Sequence, residues 1–156
     1  MNRYTVSAEI VVASSPERAY AVASSVDAIP VYENGILRIQ VIEENGANER
    51  VGRSTLKILG LETPFTYRYR YSPGRHYSGV QEQGSVVRGF FSFSFTSVRG
   101  GTRIVHREGM FSRAPFAASV VGWLYYQLIA RAGLNAELRK LKALIEAPHS
   151  HSQGDK

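Results

Sequence analysis

The sequence predicts an α+β domain: an antiparallel sheet of about seven strands, two short helices after the first strand, and one long C-terminal helix. Three observations predict it. From Gly35 to Phe111 the hydrophobic period is two, interrupted by turn residues at spacings that suit consecutive hairpins. Beyond Pro115 the period lengthens to that of a helix and holds to Glu146. Ahead of the sheet, a β-rich run ends in Ser14-Ser15-Pro16-Glu17, the composition of a helix start.

Tyr4 to Val12 alternates as a strand. Ser15 then suits the N-cap, Pro16 the first helical position, and Glu17 the positive helix end. This helix runs to about Ser25 with Ala19, Tyr20, Val22 and Ala23 as its apolar face, and Asp27 caps a second short helix constrained by Pro30. Leu37, Ile39 and Val41 begin the alternation, and Asn45-Gly46 turns it. Ser54, Leu56 and Ile58 form the return strand. After Gly60, Phe65, Tyr67, Tyr69 and Tyr71 alternate with Thr66, Arg68 and Arg70, the clearest strand in the chain. Ser72-Pro73-Gly74 turns into His76–Glu82. Val86–Val98 follows with Phe91, Phe93 and Phe95 on one face, and Arg99-Gly100-Gly101 turns into Thr102–Phe111. Counting 100° per residue back from Ile145, one helix face collects Phe116, Val120, Trp123, Gln127, Arg131, Leu134, Leu138, Leu141 and Ile145. Residues 1–146 read as one domain and the small, polar stretch 147–156 as a disordered tail.

With 156 residues, 44% hydrophobic and 21% charged, the chain can bury one full core. The absence of cysteine excludes disulfides, a thiolate nucleophile, zinc–thiolate sites and iron–sulfur ligation, and suits a reducing cytoplasm. No apolar run of signal-peptide length precedes Glu9, so a cytoplasmic location is expected. The net charge is +6, and residues 63–113 carry eight arginines against two glutamates. Those arginines alternate with apolar residues, which reads as the solvated face of a sheet; the other reading is a contact surface for an acidic protein, phospholipid or nucleic acid. No phosphate-binding glycine loop, zinc-finger spacing or ribonucleoprotein signature is present, so nucleic acid is not an expected partner. No cofactor and no metal is expected; His149 and His151, two apart in the tail, offer at most adventitious metal binding.

Ser15-Pro16-Glu17-Arg18-Ala19-Tyr20 after the first strand, Asp27 followed by Ile29-Pro30-Val31-Tyr32, Gly101-Thr102-Arg103-Ile104 at the last strand, and Leu138 to Glu146 in the last helix occur in an order and spacing that resembles the SRPBCC superfamily. The resemblance covers residues 4–146 and extends to its START-like, birch-pollen-allergen, polyketide cyclase/dehydrase and coenzyme Q-binding branches. It implies a helix-grip fold, a curved sheet wrapped around the long helix, with a cavity between them for a hydrophobic ligand.

The candidate ligand-binding residues are Tyr32, Phe65, Tyr67, Tyr69, Phe91, Phe93, His106, Trp123, Gln127 and Arg131. Buried tyrosine hydroxyls need partners, which favours internal hydrogen bonds or a wet hollow, while a filled aromatic core without a cavity is the alternative. Gln127 and Arg131 sit on an otherwise apolar helix face. A straight helix points both into the cavity, where Arg131 suits a ligand carboxylate or enolate; a bend at Gly122 or Gly133, or snorkelling of Arg131, takes them out. In the last strand Thr102, Ile104, His106, Glu108 and Met110 share a face opposite Arg103, Val105, Arg107 and Phe111, and either face is compatible with the interior. If the first faces inward, His106 and Glu108 form an acid/base pair, with Arg131 the third catalytic candidate. His76 and Glu82 make a weaker pair of the same type. The apolar segment 116–132 needs a second burial partner: the short helices, a second copy of the chain, or a membrane interface.

Three functions follow as expectations. The first is a binding or carrier protein for an apolar, aromatic, polyketide or isoprenoid-like molecule. The second is a polyketide cyclase- or dehydratase-like enzyme using His106, Glu108 and Arg131. The third is a coenzyme Q-binding or protein-contact module using Pro30, Tyr32 and the uncharged helix half.

Overall fold

Strand β1 (Asn2–Val12) leads into helices α1 (Pro16–Ala23) and α2 (Ile29–Tyr32). Six strands follow, β2 (Ile36–Glu44), β3 (Glu49–Ile58), β4 (Leu61–Ser72), β5 (His76–Gln81), β6 (Val87–Val98) and β7 (Gly101–Ser112), and a π-helical turn (Tyr126–Ala130) runs directly into α3 (Arg131–Glu146). The computed structural model describes residues 2–58, 60–82, 87–113, 120, 124 and 126–148. All seven strands form one curved antiparallel sheet in the order β1-β7-β6-β5-β4-β3-β2. The meander read from the alternating sequence is thus present strand for strand, and β1 joins it by pairing with β7 along its full length, from Asn2 opposite Ser112 to Val12 opposite Thr102.

Period-two alternation decides what each strand buries. Tyr71, Tyr77 and Phe93 align across β4, β5 and β6, and Phe93 aligns in turn with His106 of β7 and His106 with Ala8 of β1. These side chains share the inner face, while Arg68, Ser78, Ser92 and Arg107 take the outer one. Against that inner face α3 lays Leu134, Leu138, Leu141 and Ile145, each no more than 2% exposed. The stripe counted back from Ile145 is therefore real as far as Leu134. Gly101 must be glycine: its φ is +143°, and a Cβ there would strike the carbonyl of Val12.

The α1 cap forms as the sequence indicates, with the Arg18 amide donating to Ser15 Oγ at 3.3 Å. The α2 cap differs. Ala28, not Asp27, holds the N-cap position and no side chain caps it, since Pro30 already removes one of the amides that would need an acceptor. Helix α1 also ends at Ala23, short of Ser25. The far end of α3 is pinned to the β1–α1 corner: Arg18 donates to the carbonyls of Ile145 (2.8 Å) and Ala147 (3.2 Å), the Ala13 amide donates to Glu146 Oε1 (2.7 Å), and Lys142 Nζ donates to the Val11 carbonyl (2.7 Å). The two Arg18 bonds occupy carbonyls that the helix end leaves open.

At its near end α3 departs from the expected straight helix. A π turn carries one residue more per hydrogen-bonded ring than an α turn, so the 100° count does not pass through Tyr126–Ala130. Arg131, immediately after it, is exposed, as are Val120, Leu124, Leu128 and Ile129. Phe116, Val121, Trp123 and Tyr125, the Gln127 side chain, and the tail histidines His149 and His151 lie outside the described residues. Among the described residues no helix is long and apolar enough to cross a membrane.

Candidate functional site

A pocket of about 270 Å³ opens between the inner face of the sheet, the end of α2 and helix α3. Ile36 and Ile39 of β2, Ser54 and Leu56 of β3, Tyr67 and Tyr69 of β4, Tyr77 of β5, Phe91 of β6 and Glu108 of β7 line it from the sheet; Ile29, Glu33, Asn34 and Glu137 line it from the helical side. Its size lies just below the roughly 300–1,000 Å³ usual for small-molecule sites.

The aromatic wall is a consequence of register. Tyr69 aligns with Gly79 and Gly79 with Phe91, so the missing Cβ of Gly79 leaves room for the Phe91 ring to lie over the β5 backbone. Phe91 meets Tyr77 edge-on at 5.1 Å between centroids and Tyr67 at 6.2 Å, while Tyr69 stacks on Tyr77 at 6.2 Å. The Tyr69 hydroxyl shares a 2.6 Å hydrogen bond with Ser54 Oγ, so its burial leaves no orphan, and desolvation raises its pKa well above the ordinary value. A filled aromatic core without a cavity is therefore not what this sheet makes.

At the β7 side of the pocket the chemistry changes. The ambiguous face of β7 resolves in favour of Thr102, Ile104, His106 and Glu108 inside, with Arg103 and Arg107 exposed. His106 is 0% exposed and stacks on Phe93 with centroids 3.8 Å apart. Its Nε2 lies 3.7 Å from Glu108 Oε1 and its Nδ1 4.0 Å from Glu137 Oε2, both beyond hydrogen-bond length. Neither ring nitrogen, nor Glu137 Oε2, has a hydrogen-bond partner among the described residues. The other Glu137 oxygen accepts from the Asn34 amide at 2.9 Å, and Lys140 Nζ reaches Asn34 Oδ1 at 2.6 Å on the rim.

Burial sets the protonation of this cluster. Desolvation lowers the His106 pKa to about 3, so the imidazole is neutral at pH 7. Desolvation, and then repulsion by Glu137, raises Glu108 to about 8. Glu33 is pushed well above the usual carboxylate range by burial and by the negative charge of Glu108 and Glu137. Glu137 is raised by desolvation, partly offset by the Asn34 amide and Lys140. Burial thus sets a neutral imidazole behind a pocket-lining carboxylic acid that holds its proton near neutrality, two complementary proton-transfer groups. His106, Glu108 and Glu137 also bring one donor atom each within 4.8 Å of one another, a set a divalent cation can use. The 3.7 and 4.0 Å spans are wider than the ~3.4 Å between neighbouring ligands of a tetrahedral ion with ~2.1 Å bonds.

Of the residues expected at a site, Tyr67, Tyr69 and Phe91 line the pocket. Phe93 and His106 lie immediately behind the lining, and Tyr32 packs edge-on against Phe93 with its hydroxyl donating to the Ala23 carbonyl at 2.6 Å. Phe65 is half-buried farther along β4 and is not part of the lining. Arg131 is also outside it and exposed: it stands in the first turn of α3, beyond Leu134, where the buried stripe ends, and a guanidinium is far cheaper to hydrate than to bury unpaired. The expected Arg131 partner of His106 and Glu108 is thus replaced by Glu137, a reversal of charge. His76 and Glu82 stand at opposite ends of β5: His76 approaches Ser94 Oγ at 3.5 Å and Glu82 pairs with Arg68. Arg68 also pairs with Glu49 at 2.6 Å, and Arg3 lies 4.8 Å over the Phe90 ring, so these outer-face arginines have local partners.

Glu33 and Glu137 escaped sequence reasoning. Glu137 carried a readable signal, since it lies three residues from Leu134 and next to Leu138 at the edge of an apolar stripe. Glu33, one residue past a four-residue helix, carried none.

Comparison with known proteins bears on the fold. No curated protein sequence matches the chain. In fold it is similar to the Streptomyces aromatase/cyclase Zhui (15% identity, 93% of this chain and 94% of that one, TM-score 0.75) and to a START superfamily protein from Mycobacterium smegmatis (18%, 92% and 97%, TM-score 0.71). It is likewise similar to the Thermus thermophilus protein TTHA0849 (18%, 90% and 96%, TM-score 0.73). At these identities the likeness establishes the helix-grip fold. Residues 3–146 match the family described as polyketide cyclase / dehydrase and lipid transport. The chain belongs to that family, within the SRPBCC superfamily.

Proposed function

We propose that the protein binds an apolar, aromatic small molecule in the pocket between the sheet and α3. The observation that carries this reading is the pocket itself: an aromatic wall of Tyr67, Tyr69, Tyr77 and Phe91, completed by Ile36, Ile39 and Leu56, with the carboxyls Glu33, Glu108 and Glu137 coming from the end of α2, from β7 and from α3. Apolar rings gain roughly 25 cal/mol per Å² buried there, and the few polar groups orient what enters. Naphthylmethanol is a suitable neutral probe. Calorimetry should give saturable one-to-one binding, and Leu56→Trp, which fills the pocket from a half-exposed position on β3, should weaken it at least tenfold with an unchanged melting temperature. Equal binding by both proteins would place the probe elsewhere, and no binding by either would sink the reading.

A second reading, acid/base catalysis on a carbonyl compound, is favoured by the neutral His106 imidazole beside a protonated Glu108. Glu108, which lines the pocket, would donate its proton to a carbonyl oxygen as its other carboxyl oxygen takes one from the carbon flanked by two carbonyls, giving a neutral enol and leaving Glu108 protonated again, with neutral His106 behind it. Deuterium exchange into an aryl diketone, followed by NMR, should then slow about 100-fold in Glu108→Gln. An unchanged rate would remove catalysis and leave binding.

A further inference from the structure

We propose that this pocket selects aromatic ligands that carry a protonated amine, seating the ammonium among Glu33, Glu108 and Glu137, and rejects the matching carboxylates. The proposal rests on the aromatic-ligand reading above and adds the charge of the ligand. Three glutamates from separate elements converge on one pocket, and among the described residues no lysine or arginine lines it. Acidic residues alone would be a weak sign. The independent sign is His106: wholly buried directly behind the lining, with both nitrogens unpartnered and facing the Glu108 and Glu137 carboxyls from 3.7 and 4.0 Å, it leaves unsatisfied polar atoms beside the glutamates that line the pocket. Glu137 Oε2 is a second such atom.

A primary ammonium has three N–H donors and fits this deficit, since every nearby unsatisfied atom is an acceptor or, in neutral imidazole, has one acceptor nitrogen. Its positive charge opposes the negative charge gathered there: burial holds all three glutamates toward their protonated forms, and repulsion adds to this at Glu33 and Glu108. The faces of Tyr67, Tyr69 and Phe91 suit both the aromatic body and a nearby cation. A carboxylate ligand meets the opposite conditions: three like-charged or acidic groups and no cation in the lining to pair with. The separations within the donor set are wider than one small metal ion brings its ligands, and an ammonium, bonded over longer distances, spans them more readily.

The test compares naphthylmethylamine, naphthylmethanol and naphthoate on the full chain at neutral pH, at one ionic strength. The amine should bind at least tenfold more tightly than the alcohol, and naphthoate at least tenfold more weakly. In Glu137→Gln and Glu108→Gln, checked for folding by circular dichroism, the amine-to-alcohol affinity ratio should fall toward one. If the alcohol binds and is displaced by Leu56→Trp while the amine binds no better, charge selection is overturned and the aromatic reading stands. If none of the three binds, the aromatic reading falls and this proposal with it. If the ratio is near one and zinc ion binds with unit stoichiometry in a Glu137-dependent manner, the donor set is a metal site and the proposal is overturned. Should either variant fail to fold, the ratio measured on the unaltered chain decides alone.

Discussion

Phe93→Ala should cost about 3–5 kcal/mol of folding stability, among the largest losses open to a single substitution in this chain. Phe93 is 0% exposed and belongs to a buried cluster that joins the sheet to α1, α2 and α3. Its ring stacks on Tyr77 at 5.7 Å and on His106 at 3.8 Å, and meets Tyr32 edge-on at 6.2 Å. No flexible neighbour stands ready to fill the space, because Tyr77, Tyr32 and Ile104 are themselves fully packed. The loss also reaches the site, since the ring is what keeps His106 dry. Urea unfolding should show a lowered midpoint with an unchanged slope, and the His106 pKa, followed by NMR, should rise from about 3 toward its ordinary value. A loss under 1 kcal/mol, or a His106 that titrates as before, would contradict this account of the core.

Stability should fall as pH rises from 6.5 to 8, and Glu108→Gln should flatten the fall. An unfolded glutamate loses its proton near pH 4.5, whereas folded Glu108 keeps its proton to about pH 8. Between those values the folded chain binds more protons than the unfolded one, so each added pH unit costs up to about 1.4 kcal/mol per proton. His106 acts in the opposite sense over a different range: its pKa drops from 6.5 to about 3 on folding, so it penalises acid below pH 6.5 and is silent above it. The groups facing Glu108 are His106 on its own strand, Glu137 from α3, and Glu33 after α2. Both of these glutamates are raised in the same direction, so the slope in Glu108→Gln should shrink without vanishing. Thermal midpoints across this range decide the matter; a flat or rising profile in the unaltered chain would show that Glu108 is ionised in the folded state.

How far the sequence reached depended on whether its signal was local. Tyr67, Tyr69, Phe91, Phe93 and Phe95 were legible as one face because alternation on a paired strand fixes direction once any neighbour is buried. Leu134 to Ile145 were legible for the same reason at a helical period. The β7 face was not, since Ile104 and Met110 on one side were matched by Val105 and Phe111 on the other, and the choice fell to pairing with β6, where Phe93 stands opposite His106. Arg131 stayed open between cavity and rim because its angle on the helix does not say where the sheet ends, and the π turn before it, which leaves no mark in residue type, breaks the count from Ala130 toward the N-terminus. Glu33 lies 75 residues before Glu108 and Glu137 lies 29 after it, so they share a pocket with it only through tertiary packing, which no short window on the sequence contains. The residues that set the pocket's charge were therefore the ones least visible, while those that set its shape were written plainly.

The measurement that bears most directly on the account is an NMR titration of protein labelled in its tyrosine and phenylalanine rings with naphthylmethanol. The account predicts ring-current shifts concentrated on Tyr67, Tyr69, Tyr77 and Phe91, saturating together at one equivalent, with Phe111 on the outer face unmoved. Shifts confined to Phe111 and its outer-face neighbours, or no saturable shifts at all, would contradict a ligand pocket between sheet and helix.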